Sequence, residues 1–227
     1  MANNGNSVVA GLDRLVEKYH LLNHPFYRAW TQGTLSRESL ILYAEQYYQH
    51  VRAFPENLKQ LAARTNGDLL DIINENLAEE LDSSGPHPKL WRQFASAIGS
   101  SEAALDSARP LPGIAELLDT YEELTENGPV PQAVAAFYVY EAQVPEIAAQ
   151  KIAGLKKHYG VMESPALRYF AVHEEADVRH RAAWRHWLAG QPESDAVEMY
   201  AAAERALKAL WGALDAVYSE PCAAMKN

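Results

Sequence analysis

An all-α fold is predicted by three features of the sequence. Apolar residues return every three or four positions along almost the whole chain, alternating strand patterns are absent, and Pro, Gly and Ser punctuate the periodic runs. Nine helices follow in order, near residues 8–22, 24–32, 36–64, 68–82, 87–99, 112–126, 131–159, 165–189 and 194–218. Ser36 is placed to cap the third, its hydroxyl accepting from a free amide of the first turn. The Ser83-Ser84-Gly85-Pro86 break ends the fourth. The seventh contains Pro145, which cannot donate to the carbonyl of Glu141 and should bend the helix there. Ser164 with Pro165 reads as a cap followed by Pro at the first helical position of the eighth. The ninth carries Val197, Tyr200, Glu204, Leu207, Trp211, Leu214 and Tyr218 in heptad-like steps, which lays it lengthwise against a bundle.

With 227 residues, 48% of them apolar, and no apolar run near the roughly 20 residues of a membrane span, the chain reads as one soluble domain over residues 1–227. Loose ends are expected near 1–7 and 219–227. The opening MANNGNSVVAG has neither a basic region nor an apolar core of a secretory signal. Cys222, the only cysteine, lies in the tail, which excludes an internal disulfide framework and a Cys-rich zinc site and fits a reducing cytoplasm. A formal net charge of −10 argues against a nucleic-acid partner, because phosphate binding relies on clustered Lys and Arg.

The stretch YFAVHEEADVRHRAAW interrupts an apolar stripe with His173, Asp177 and His180. At about 100° per residue, offsets of four and seven bring these three to within about 40° of one direction. Ala166 and Phe170 before them, and Trp184 and Trp187 after, mark that direction as the core. Three buried ionisable groups need a common compensation, either a metal ion or a charge-relay pair with a satisfied core histidine. Further intruders appear elsewhere. In the seventh helix the stripe Val134, Phe137, Glu141, Val144, Ala148 has Glu141 out of place. In the fourth, Leu70, Ile73 and Leu77 predict position 80 as the next inward residue, which selects Glu80 and leaves Glu79 to solvent. His87 follows the Ser-Ser-Gly-Pro break within reach of Glu80, although a lone His at such a turn is commonly an exposed loop residue.

Glu80, His87, Glu141, His173, Asp177 and His180 thus give three carboxylates and three imidazoles. This mixture suits iron or manganese, whereas structural zinc favours thiolates and calcium favours oxygen alone. Six ligands are too many for one reactive ion and suit two divalent ions about 3.5–4 Å apart. Carboxylate-bridged di-iron bundles are alike in kind, but no Glu-x-x-His motif occurs at these positions.

Together with LNHPFYRAW, YAEQYYQHV, AEELDSSGPHPKLW, YVYEAQVPEIAAQKI and HEEADVRHRAAW, the ligand pattern resembles the haem-oxygenase-like di-iron oxidases. Within them it resembles the chlamydial protein associating with death domains and its bacterial relatives. The resemblance spans nearly the whole chain. It implies a haem-oxygenase-like bundle of about seven to nine helices, an Fe/Fe or Fe/Mn pair, and use of molecular oxygen with an external reductant. It also implies self-sacrificial synthesis of p-aminobenzoate for folate, with a tyrosine of the protein supplying the ring and a lysine the amino nitrogen, so that no separate aromatic substrate is needed. The matching positions are Tyr27, Tyr43, Tyr140 and Lys151, with Tyr27 or Tyr43 as the consumed ring; a homodimer is compatible with this role.

The residues themselves place Lys151 about 80° round from Glu141, flanking the metal-facing stripe, where its stem could reach inward or snorkel to water. Desolvation there would yield a neutral, nucleophilic amine. Tyr169, four residues before His173, is positioned to hydrogen-bond that ligand. Tyr43, Tyr47 and His50 form a stripe that ordinary core packing also explains. Arg179, Arg181 and Arg185, with Glu175 one turn before Arg179, read as a solvated face. His20 and His24 carry no haem assignment, because three inward carboxylates suit cations better than an anionic porphyrin. Two rivals stand beside this reading: another di-iron oxidase of the same fold, decarboxylating or desaturating a fatty or amino acid through an open tunnel, and a non-enzymatic module that binds partner helices.

Overall fold

The computed structural model describes residues 5–224, with side chains described for residues 7–174 and 177–219. These residues form α1 (Gly5–Lys18), α2 (Pro25–Gln32), α3 (Arg37–Ala62), α4 (Gly67–Glu80), α5 (His87–Ala97), α6 (Glu102–Ser107), α7 (Pro112–Glu126), α8 (Val130–Glu141), α9 (Val144–His158), α10 (Ser164–Ala189) and α11 (Ala196–Ala224), with short 3-10 turns at Leu21–Asn23 and Glu193–Asp195. No strand occurs among the described residues, and none of their helices is long and apolar enough to cross a membrane. The side chains of Glu175 and Cys222, and residues 1–4 and 225–227 of the expected loose ends, lie outside the described residues. The backbone of residues 5–7 and 219–224 is helical, so both end helices reach further than the apolar pattern does.

Two helices more than the sequence pattern predicts are present, for separate reasons. α6 has six residues, too few to show a period, and is started by Ser101, whose Oγ accepts from the amide of Ala104. The long seventh helix is not merely bent at Pro145 but broken at residues 142 and 143 into α8 and α9. Gln143 stabilises the break from within. Its Nε2 donates to the Val139 carbonyl at 2.9 Å, and its Oε1 accepts from the Leu21 amide at 2.8 Å, tying the turn before α2 to the break. Ser36 caps α3 by accepting from Ser39. Ser164, in contrast, is the first residue of α10 and not its cap; Glu163 precedes it in extended conformation.

α8 lies at the centre of the bundle. Every residue from Ala133 to Glu141 is buried, as expected of a helix apolar on all sides. α10 packs against α5, α8 and α9, while α11 packs most extensively against α7 and α8. The buried face of α11 is centred on Met199, Ala203, Ala206, Leu210, Ala213 and Val217, about one residue off the stripe of large side chains in the sequence, and Val197 is 75% exposed. Small residues set this rotation. α7 and α11 approach so closely that a Cβ on Gly113 would stand 2.3 Å from the Gly212 carbonyl oxygen.

Candidate metal centre

Four helices deliver the six acids and imidazoles. Glu80 is the last residue of α4, His87 the first of α5, Glu141 the last of α8, and His173, Asp177 and His180 share one face of α10. All six are buried. They fall into two triads, Glu80–His87–His173 and Glu141–Asp177–His180, and within each the potential ligand atoms lie within 4.8 Å of one another. The structure therefore pairs one carboxylate with two imidazoles in the first triad and two carboxylates with one imidazole in the second. A void of about 10 Å³ adjoins both triads, bordered by Glu80, Glu141, His173 and Asp177 together with Tyr140 and Tyr169. That is space for about one water-sized molecule.

The local chemistry fits divalent cations. His87 Nδ1, Asp177 Oδ2 and His180 Nε2 are buried with no hydrogen-bond partner. His87 Nδ1 stands only 2.9 Å from Glu80 Oε2, yet the two are not aligned for a hydrogen bond, as when both lone pairs converge on a third point. Burial, and then the charge of Asp177, push the Glu141 carboxyl up to about 8; burial, and then Glu80, hold Asp177 well above the usual carboxylate range. Burial opposes protonation of His87, but Glu80 outweighs it and raises the imidazole. Burial and the neighbouring His87 keep His173 neutral, well below the ordinary range. Acids that repel each other's charge, beside the neutral imidazole of His173, are what cations would relieve.

The ligands are also oriented from behind. His173 Nδ1 lies 2.6 Å from the carbonyl of Tyr169, so Nδ1 carries the proton and Nε2 is left to offer its lone pair. Tyr169, placed by its spacing to hydrogen-bond this ligand, does so through its backbone carbonyl. Glu141 accepts from Asn76 Nδ2 at 2.9 Å and from Trp184 Nε1 at 2.8 Å. Sequence reasoning overlooked both, although Asn76 precedes Glu80 and Trp184 follows His180 by four residues, the spacing that places a helix neighbour on the same face. Glu79, expected to face solvent, does so only in part. This residue is half-buried, its carboxylate between Arg179 and His180. Arg185 likewise belongs to a cluster with Asp13 and Tyr138 that ties α1 to α8 and α10.

A second constellation adjoins the triads. The break before α9 resets its phase, so Lys151 lies in the middle of the buried face and is 5% exposed, neither flanking it nor snorkelling to water. Its Nζ donates to the Tyr43 hydroxyl at 2.6 Å and lies 5.4 Å from the ring centre of Tyr27. Burial pulls the ammonium down to about 7. Burial pushes the hydroxyls of Tyr27, Tyr43, Tyr140 and Tyr169 upward, so these phenols are neutral. The Tyr47 hydroxyl donates to Tyr140 at 3.1 Å, which draws the presumed packing stripe of α3 into the same cluster. A void of about 20 Å³ is lined by Tyr27, Tyr47, Tyr140, Lys151, Tyr169 and His173 among others, and so joins the lysine to the first triad. His24, set aside as a haem ligand, caps α2 by accepting from Phe26 and pairs with Asp215.

A bundle of this form with buried carboxylate and histidine triads defines a class. The chain belongs to the family of iron-containing redox enzymes with a haem-oxygenase-like fold, whose family pattern it matches over residues 41–214. It is 38% identical over 231 residues to a 4-aminobenzoate synthase of Nitrosomonas europaea, covering 96% of this chain and 94% of that one. It is 36% identical over 219 residues to a 4-aminobenzoate synthase of Chlamydia pneumoniae, covering 93% and 96%. In structure it is similar to a domain of unknown function with a haem-oxygenase-like fold from Shewanella denitrificans, with a TM-score of 0.76, 18% identity, and 95% and 90% of the two chains covered.

Proposed function

We propose that this chain makes 4-aminobenzoate once per molecule, taking the ring from its own Tyr27 and the amino nitrogen from Lys151. The observation that carries this reading is the Lys151 amine, hydrogen-bonded to Tyr43 at 2.6 Å and facing Tyr27 across a void of only about 20 Å³. Ligand pockets typically hold about 300–1,000 Å³. A void so small has no place for an outside aromatic ring or a fatty chain, whereas the tyrosine and lysine already there need none. The names of the Nitrosomonas and Chlamydia relatives support the same product.

Tyr27 is the better ring donor on packing grounds. It borders the void beside Lys151, whereas the ring of Tyr43 is fully enclosed by Phe26, Trp30, Tyr47 and Trp91. Tyr43 instead holds the amine and can exchange a proton with it at a fixed oxygen. With its affinity for a proton lowered, Lys151 presents a lone pair near neutral pH. Glu80, His87 and His173 would hold one iron ion, and Glu141, Asp177 and His180 a second ion of iron or manganese. Such ions, when bound, supply one-electron oxidation and oxygen activation with an external reductant. Tyr140 and Tyr169 border both voids and so link the lysine pocket to the acids and imidazoles. The aromatic wall of Trp91 and Phe170 around Lys151 keeps water from reactive species.

Protein loaded with ferrous iron, reduced, and exposed to oxygen without any added aromatic compound is expected to release up to one 4-aminobenzoate per chain. Lys151→Met fills the same space without the transferable amine, so its yield falls to background. Wild-type yield from that variant would contradict the amine assignment, and many products per chain would contradict self-consumption.

A further inference from the structure

We propose that Glu79 positions the His180 imidazole, receiving its Nε2–H so that Nδ1 stays turned toward Asp177 and Glu141. The proposal rests on the metal-centre reading above and goes beyond it, because Glu79 belongs to neither triad.

His180 shows its two nitrogens to different surroundings. Nδ1 lies 3.4 Å from Asp177 Oδ1 and 3.8 Å from Glu141 Oε2, inside the second triad. Nε2 points the other way, is buried without a hydrogen-bond partner, and has Glu79 Oε2 at 3.5 Å. A neutral imidazole carries one N–H. If that proton sat on Nδ1, the Nε2 lone pair would face a carboxylate oxygen and the triad would lose a nitrogen donor. With the proton on Nε2, both conflicts vanish: Nδ1 offers its lone pair among the acids, and a small turn of the Glu79 carboxyl brings Oε2 into hydrogen-bonding range.

Glu79 is itself fixed in place. Its other oxygen accepts from Arg179 at 2.7 Å, and Arg179 immediately precedes His180 on α10. Carboxylate and ring are thereby held to adjacent positions of one helix. The last turn of α4 consequently serves both triads, Glu80 entering the first as a ligand and Glu79 supporting the second from behind. At 29% side-chain exposure Glu79 reaches solvent, so this support lies on the surface side of the centre. A carboxylate behind a metal-binding histidine fixes its tautomer and orientation, and removing one typically costs about 10- to 100-fold in metal affinity.

Anaerobic equilibrium dialysis against ferrous iron, read by elemental analysis, tests this in wild type, Glu79→Ala and Glu79→Gln. Wild type is expected to hold two ions per chain. Glu79→Ala should keep the first and weaken the second by about 10- to 100-fold. Glu79→Gln, whose amide oxygen still accepts, should lose less, and the melting temperature of the metal-free proteins should match wild type. Equal affinity for both ions in wild type and Glu79→Ala would overturn the positioning role. So would equal weakening of both sites together with a lowered melting temperature, which marks a purely structural residue. Fewer than two ions in wild type would instead overturn the two-ion centre itself, and this role with it.

Discussion

Lys151 ties a single side chain to the pH dependence of the whole fold. Burial lowers its ammonium from 10.5 to about 7, so between these values the native state binds fewer protons than the unfolded chain. Stability of the metal-free protein from this group therefore rises with pH across that window, and the full penalty persists below it. Lys151→Met removes the penalty. In denaturant melts the variant should exceed wild type at pH 6 by about 5 kcal/mol, on the scale of 1.36 kcal/mol per unit, and most of this advantage should be gone by pH 10. A stability difference independent of pH would show that the amine is not neutral in the core. Five of the six acids and imidazoles were legible in the sequence because each stands in an apolar stripe, where its cost exposes it; His87 was reached only through its nearness to Glu80 across the Ser-Ser-Gly-Pro break. Asn76, Trp184 and Glu79 were not, because an amide, an indole and a half-buried acid at those positions break no pattern. Their roles depend on partners from other helices.

Among the helices, the break between α8 and α9 matters most. A continuous helix would leave Lys151 beside the inward stripe; the two-residue turn at 142 and 143 rotates α9 so that Ile147, Ala148, Lys151, Gly154 and Leu155 face the core. Pro145 announced a disturbance, but the size of the rotation depends on Gln143 bridging Val139 and Leu21, a long-range contact that no local period encodes. Gln143→Leu would leave a buried amide and a buried carbonyl without their partners, at about 1–3 kcal/mol each. The variant is expected to lose about 2–6 kcal/mol in urea denaturation, on that same scale, and to form less 4-aminobenzoate per folded chain. Unchanged stability and yield would show that the break holds its angle without Gln143. The close seat of α9 on α2 works in the same direction, since a Cβ on Gly154 would stand 2.6 Å from Trp30, whose Nε1 donates to the Lys151 carbonyl.

At the level of the molecule, the all-helical class followed from periodicity alone, since three-and-four spacing almost everywhere leaves no room for strands. The order in which helices pack did not, because α11 chooses its face by the small residues that let α7 and α8 approach, and hydropathy weights large residues instead. The bundle places two acid and imidazole triads at its centre and fills the adjoining space with its own tyrosines and a neutral lysine. The central claim is that the product is cut from the protein itself. Its most direct test is isotopic: protein produced with ring-labelled tyrosine, loaded with ferrous iron, and exposed once to oxygen and reductant in the presence of excess unlabelled free tyrosine. The account predicts labelled 4-aminobenzoate, at no more than one per chain, and a spent chain altered at Tyr27 and Lys151 by peptide mass spectrometry. Unlabelled product, drawn from the free pool, would contradict it.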